Sequence, residues 1–146
     1  MGNGGAKKRL EESAIEMELD NVRFFPLQPY EELSRLLAIA DVHLVLQKKE
    51  ASDLVMPSKL TGILAAGGLA LITAVEGTSL YDVVNEHNMG VLIEPGSTEA
   101  LVQGIKDCID GDDIDAIKTN ARNYALEFLT KDVVLGNFEE KLLTNK

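Results

Sequence analysis

The sequence predicts an α/β fold, a parallel sheet flanked by helices, on three observations. Four short runs rich in Val, Ile, Leu or Phe, each closed by a turn signal, alternate with segments of helical periodicity. The runs are apolar almost without interruption, which is the pattern of strands buried on both faces. Strand, helix, strand repeated in this way returns each strand parallel to the one before. With 146 residues and 45% hydrophobic content, the chain has the size of one domain, 1–146, and enough apolar surface for a core.

The elements follow in order. "MGNGGAKKRLEE" is a glycine turn leading into a helix with Leu10, Ala14 and Met17 on one face. In an alternating fold such a turn follows a strand, and its glycines permit a tight bend and a close backbone approach. No strand precedes this one, so the expectation is a piece of a longer protein, cut just inside a domain and lacking its first strand. In a sheet of order 3-2-1-4-5 counted from that strand, the missing one is central. "VRFFPL" (22–27) is the first strand candidate, followed by a helix carrying Leu33, Leu36, Leu37 and Ala40 at the i, i+3, i+4, i+7 spacing. "VHLVLQ" (42–47), "LALITAV" (69–75) and "GVLIEP" (90–95) are the other three strands. A stripe of Leu101, Gly104, Ile105 and Cys108 marks the next helix. Two tail helices cover about 114–129 and 132–143, the second with Leu135, Phe138 and Leu142 on one face.

Charge restricts the partners. The net charge of -10, from 24 acidic and 14 basic residues, repels phosphate polymers and anionic bilayers. Lys7-Lys8-Arg9 and Lys48-Lys49 are short enough to read as solvated faces, so no nucleic-acid partner is expected. The single cysteine, Cys108, rules out an internal disulfide and suits a reducing cytosol. No apolar run approaches the roughly 20 residues that span a bilayer, and the start lacks a signal-peptide core. A soluble chain is expected.

One stretch carries chemistry. "LVMPSKLTGILAAGG" (54–68) is apolar except for Pro57-Ser58-Lys59. Pro57 suits the first turn of a helix that runs to Ala66, with Gly67 and Gly68 as its stop. That helix follows a strand through a loop, so it starts at the carboxyl edge of the sheet, where open α/β folds bind ligands. Free N–H groups and the positive dipole end favour an anion there, and the Lys59 ammonium and Ser58 hydroxyl add to the preference. A diphosphate fits this chemistry. The alternative is that Ser58 caps the helix and Lys59 is an ordinary surface charge.

Taken in order, "GNGGAKKRLE", "NVRFFPLQPYEELSRLLAIADVHLVLQ", "MPSKLTGILAAGGLALITAVEGTSLYDVV" and "MGVLIEPGSTEALVQGI" resemble the C-terminal, donor-binding half of a retaining GT-B glycosyltransferase of the large bacterial family 4. The "PSKLTGILAAGG" segment is most similar to the enzymes of colanic-acid and related exopolysaccharide synthesis. The likeness covers the chain from Gly2 to about Ile109. It implies a Rossmann-like domain that binds a nucleotide-diphosphate sugar and faces an N-terminal acceptor domain, absent from this chain, across a cleft. Ser58 and Lys59 would lie beside the diphosphate, the backbone of Gly77, Thr78 and Ser79 would line the same cleft, and Gly4 and Gly5 would let the first loop approach the ligand. The base and ribose would sit near the 26–29 loop and the end of the 42–47 strand. The resemblance leans towards a GDP-linked sugar and a lipid-linked saccharide acceptor, in the cytoplasm or at the inner face of the cell membrane.

The departures from the family pattern bear on catalysis. Two glutamates, eight positions apart in many members, fall here on Leu54 and Gly62. Glu50 and Asp53 are the nearby carboxylates that could take the sugar-facing role. An arginine and a lysine that neutralise the diphosphate in the family come from a segment ahead of Met1. The transfer scheme requires no metal and no cofactor beyond the donor; the leaving nucleoside diphosphate is stabilised by fixed N–H dipoles and a lysine. His43 reads as a packed or rim histidine, His87 as a helix-end residue, Cys108 as core and Tyr30 as a surface tyrosine. A dinucleotide-binding domain would want a fuller G-x-G-x-x-G and an acidic end to the second strand, where Pro26-Leu27-Gln28 stand instead. A non-catalytic α/β module would want acidic strand tips, and a nucleotide-sugar epimerase of GT-B fold is the closest competitor. An unfilled sheet position would invite self-association through exposed strand edges.

Overall fold

The computed structural model describes residues 4–49 and 56–144. They fall into two compact units, Met1–Arg35 and Leu36–Lys146.

In the first unit a turn closed by the Lys7 N–H on the Gly4 carbonyl (2.9 Å) opens into helix α1 (Lys7–Glu16). Neither Gly4 nor Gly5 takes a left-handed backbone, so this bend does not draw on glycine's conformational freedom. The helix ends with Glu18 at φ 52°, its N–H on the Ile15 carbonyl and the Leu19 N–H on that of Ala14, both 3.0 Å. Two i,i+4 pairs, Lys7 with Glu11 and Lys8 with Glu12, lie along α1 at 3.7 and 3.8 Å. Such surface pairs contribute about 0.3–0.5 kcal/mol each.

Residues 22–27 are not the strand that their apolar run predicts. A strand needs a neighbouring backbone to take its N–H and C=O groups, and no ladder among the described residues pairs with this segment. Pro26 also removes one donor. Val22 and Phe24 instead join Ala14, Ile15 and Leu19 around a groove of about 500 Å³ beside α1. A short 3₁₀ turn, Tyr30–Glu32, then leads into helix α2 (Leu33–Ile39).

The second unit is built on a parallel sheet of β1 (His43–Val45), β2 (Ala70–Thr73) and β3 (Val91–Ile93), in that spatial order. His43 pairs with Ala70 and Leu44 with Leu71, and Leu71 pairs in turn with Val91. The direct pairing of β1 with β2 corrects the expected strand order, which set the 42–47 strand apart from the 69–75 strand around a missing central one. Helices α3 (Ser58–Ala65), α4 (Ser79–His87), α5 (Thr98–Asp110), α6 (Ile114–Phe128) and α7 (Lys131–Thr144) complete the unit.

Every residue of β2 is buried, and its side chains alternate between two cores. Ala70 and Ile72 face Leu60, Ile63 and Leu64 of α3, Val84 of α4 and Ala121 of α6. Leu69 and Leu71 face Cys108 of α5 and Ile117 of α6. Two-sided burial is the reason the run is apolar at consecutive positions. A Cβ at Gly104 would stand 2.6 Å from Ile93 Cγ2 and 2.8 Å from Leu71 Cδ1, so α5 rests on the sheet through the one position of its stripe that has no side chain.

The glycine stop predicted for α3 is in place. Gly67 (φ 67°) closes α3, with its N–H on the Leu64 carbonyl and the Gly68 N–H on that of Ile63, both 3.0 Å. Asn88 (φ 44°) does the same for α4. His87, at that end, packs against the rings of Tyr124 (4.7 Å between centroids) and Phe128 (5.4 Å). His43 is a buried histidine whose Nε2 lies 2.8 Å from the Leu37 carbonyl, a contact in which the nitrogen donates. Its hydrogen-bonding need is met inside the unit.

Cys108 is 5% exposed, and burial raises its thiol pKa, with the Asp107 carboxylate adding to the rise. Less thiolate forms in the folded chain than in the unfolded one. We therefore expect iodoacetamide at pH 8 to modify the native protein at least ~10²-fold more slowly than the protein in urea. Equal rates would show that the thiol is open to solvent. The same shift gives a sign to stability: it is intact below the unfolded thiol pKa and falls as pH rises from there through the raised native value.

Candidate functional site

Parallel strands end on one edge, so the loops that follow β1, β2 and β3 gather on the carboxyl side of the sheet. Helices α3, α4 and α5 begin there, and the first two carry the residues predicted from sequence. Pro57, at φ -59° and ψ 127°, lies just outside α3, which starts at Ser58 rather than at the proline. Ser58 is the first residue of α3 and not its N-cap, the place taken by Pro57, which makes no side-chain cap bond. Ser58 and Lys59 are both exposed. The Lys59 ammonium donates to the Leu44 carbonyl of β1 at 2.8 Å. An ammonium has three donors, so this bond ties the start of α3 to the strand and leaves two N–H groups for an anion.

The second helix start is built differently. The Thr78 N–H donates to the Val75 carbonyl (3.1 Å) across a turn whose third residue, Gly77, sits at φ 81°. A side chain at Gly77 would be strained in that conformation. Thr78 is buried; its hydroxyl donates to the Val75 carbonyl at 2.7 Å and accepts the Tyr81 N–H at 3.3 Å. Its side chain is thus the N-cap of α4 and is not available to a ligand. Ser79, the first residue of α4, is exposed. Ser58, Lys59, Gly77, Thr78 and Ser79 therefore all belong to the carboxyl edge of the second unit. Gly4 and Gly5 belong to the first unit. Glu50, Asp53 and Leu54 lie outside the described residues. At Gly62 a Cβ would meet Leu37 Cδ1 of α2 at 3.5 Å, an ordinary van der Waals contact.

Between β1 and β2 the pairing continues past the strand ends through a side chain. The Gln47 N–H donates to Thr73 Oγ1 (2.6 Å), which in turn donates to the Gln47 carbonyl (3.0 Å). The carboxyl end of β1 is held on both its backbone groups.

A cavity of about 360 Å³ opens at the ends of β2 and β3, within the usual size range of small-molecule sites. Lys49, Glu76, Tyr81, Leu92, Glu94 and Pro95 are among its lining residues. Sequence patterning did not single them out as a group, because they are brought together only by the adjacency of β2 and β3. The available signal was positional: Glu94 immediately follows β3, and Glu76 follows β2 by three residues.

The family model for glycosyl transferases group 1 matches residues 1–125. Over 139 residues, 94% of this chain, the sequence is 46% identical to the putative colanic acid biosynthesis glycosyl transferase WcaI of Escherichia coli (strain K12), of which it covers 33%. The fold is similar to that of Anabaena HepE in complex with UDP (TM-score 0.76, 20% identity, 98% of this chain and 39% of that one). It is also similar to WaaG, a glycosyltransferase involved in lipopolysaccharide biosynthesis (TM-score 0.65, 26% identity, 90% of this chain and 33% of that one). The chain spans about a third of the length of the proteins it matches.

Proposed function

Because the chain belongs to the glycosyl transferases group 1 family, we propose that it is the donor-binding part of a glycosyltransferase. It holds a nucleotide-diphosphate sugar, and a separate N-terminal domain supplies the acceptor side of the cleft. The observation that carries this reading is the start of α3, where exposed Ser58 and Lys59 stand on the first turn at the carboxyl edge of a parallel sheet. The dipole end and the ammonium both favour a diphosphate. As the glycosidic bond to the donor phosphate breaks, negative charge grows on the leaving diphosphate, and fixed donors stabilise it without reorganisation. Gly77 and Ser79 bring the start of α4 to the same edge. Glu50 and Asp53 are assigned as the carboxylates on the sugar side, and Gly4 and Gly5 as the loop that approaches the ligand.

We further propose a GDP-linked sugar as donor and a growing exopolysaccharide or lipid-linked saccharide as acceptor, in the cytoplasm or on the inner face of the cell membrane; the 46% identity to a putative colanic acid biosynthesis glycosyl transferase is in keeping with a role in polysaccharide synthesis. HepE, in contrast, was solved with UDP and with UDP-glucose. Calorimetric titration of the 146-residue chain with GDP and with UDP separates the two. Binding of one nucleotide supports the reading and identifies the base, with no sugar transfer expected from this chain alone. Binding of neither by the folded chain overturns it.

A further inference from the structure

We infer that Arg122 is a positioning residue for the nucleoside diphosphate. It acts through α3, by holding the far end of the helix whose first turn carries Ser58 and Lys59. Its effect on nucleotide affinity rests on the donor-binding reading above; its effect on α3 does not.

The chain leaves α3 through Ala65-Ala66-Gly67-Gly68, so no side chain at that end can close the last turn. The final carbonyls of a helix need donors from elsewhere. Gly62 and Ile63 both accept the Ala66 N–H at 3.1 Å, Ile63 also accepts that of Gly68, and Leu64 that of Gly67, the last two at 3.0 Å. The Ala65 carbonyl has no backbone donor among the described residues. It is met from α6, 57 residues further along the chain, by Nη1 of the Arg122 guanidinium. The glycine stop makes this approach possible: a Cβ at Gly67 would stand 3.7 Å from Arg122 Cβ. A cation there also suits the negative end of the helix dipole. Arg122 is exposed, and among the described residues this is its one hydrogen bond or ion pair.

Helix α3 is thus fastened at both ends by a cation on a carbonyl, Lys59 on Leu44 of β1 at one and Arg122 on Ala65 at the other. Between them Leu60, Ile63 and Leu64 share a core with Ala121 and Ala125 of α6. Apolar burial is non-directional and does not by itself fix the tilt of one helix on another. The end bonds do, because they weaken within a few tenths of an ångström and with angle. The two ends lie roughly 10 Å apart. A small change of tilt at Ala65 therefore displaces the first turn, whose donors must meet phosphate oxygens at hydrogen-bond distance.

The test compares the whole chain with Arg122→Met, which keeps the stem and removes the donors, and with Arg122→Lys, which restores a charged donor. Amide hydrogen exchange is read first. Arg122→Met should speed exchange in the first turn of α3, at Leu60 to Gly62, by about fivefold or more while the β2 amides keep the parent's rates, and Arg122→Lys should restore most of the protection. Titration with GDP and UDP follows. The nucleotide that the parent binds should bind Arg122→Met roughly 3- to 10-fold more weakly. That deficit should persist at 1 M salt, where a screening length of about 3 Å removes attraction acting from a distance. Unchanged exchange in the first turn overturns the inference, as does unchanged affinity or a deficit that salt abolishes. Faster exchange of β2 to the same degree would make Arg122 a residue of general stability, and overturns it too. If the parent binds neither nucleotide, the donor reading falls, and the exchange rates alone decide whether Arg122 sets the start of α3.

Discussion

Ile72→Ala is expected to destabilise the second unit by about 2–5 kcal/mol, the range for truncating a fully buried aliphatic side chain. Ile72 has no exposed surface and sits on the central strand, paired with Val45 on one side and Leu92 on the other. Its cluster joins α3, α4 and α6 to the sheet, so a void there removes contacts from several elements at once. Close packing leaves little scope for collapse: a Cβ at Gly90 would already stand 2.8 Å from Ile72 Cδ1 and 3.1 Å from the Ala70 carbonyl. Leu44→Ala is the control. Leu44 lies on β1 at 38% exposure, and its truncation should cost less than about 1.5 kcal/mol because part of the side chain is already in water. Urea melts at unchanged slope read both values. Similar losses for the two variants would mean that β2 is not the centre of the core.

The contrast between β2 and the 22–27 segment explains how much of the fold was legible. Both are apolar runs of strand length, but β2 shows two-sided burial and is flanked by helices on either side in sequence. The 22–27 run carries Pro26 and has no described ladder partner. Hydrophobic runs announce a buried surface, and only tertiary pairing decides whether that surface is a strand. The end of α3 was more legible, because Gly67 acts through its own backbone conformation, a local property; Asn88 ends α4 in the same way without having stood out in the sequence.

The candidate site divides along the same line. Pro57-Ser58-Lys59 stood out because a proline and two polar residues interrupt an apolar stretch, a contrast visible in one dimension. Thr78 was assigned to the cleft through its backbone, by position; that its hydroxyl caps the turn, on the Val75 carbonyl and the Tyr81 N–H, was not legible from position alone. The cavity residues Lys49, Glu76, Tyr81 and Glu94 come from three successive strand ends and a helix, and their spacing in sequence carries no period to detect.

Lys59→Ala carries the largest functional effect. A hydrogen bond to a charged group contributes about 1.5–3 kcal/mol, so loss of the ammonium should weaken nucleoside diphosphate binding by roughly 10- to 150-fold. The Leu44 carbonyl bond does not undercut this expectation. It occupies one of three donors and holds the ammonium beside the start of α3, so the side chain spends less conformational freedom when the anion arrives. Lys59 is exposed, so loss of its bond to the Leu44 carbonyl should lower stability by no more than about 1.5 kcal/mol. Raising the salt concentration should weaken the parent's binding more than the variant's, because screening acts on the ammonium–diphosphate attraction. Lys59→Met preserves the stem and removes the charge, and it should bind like the alanine variant. Equal nucleotide affinity for parent and variants would mean that the ammonium serves only to fasten α3 to β1. The anion would then be held by backbone N–H groups and the helix dipole alone.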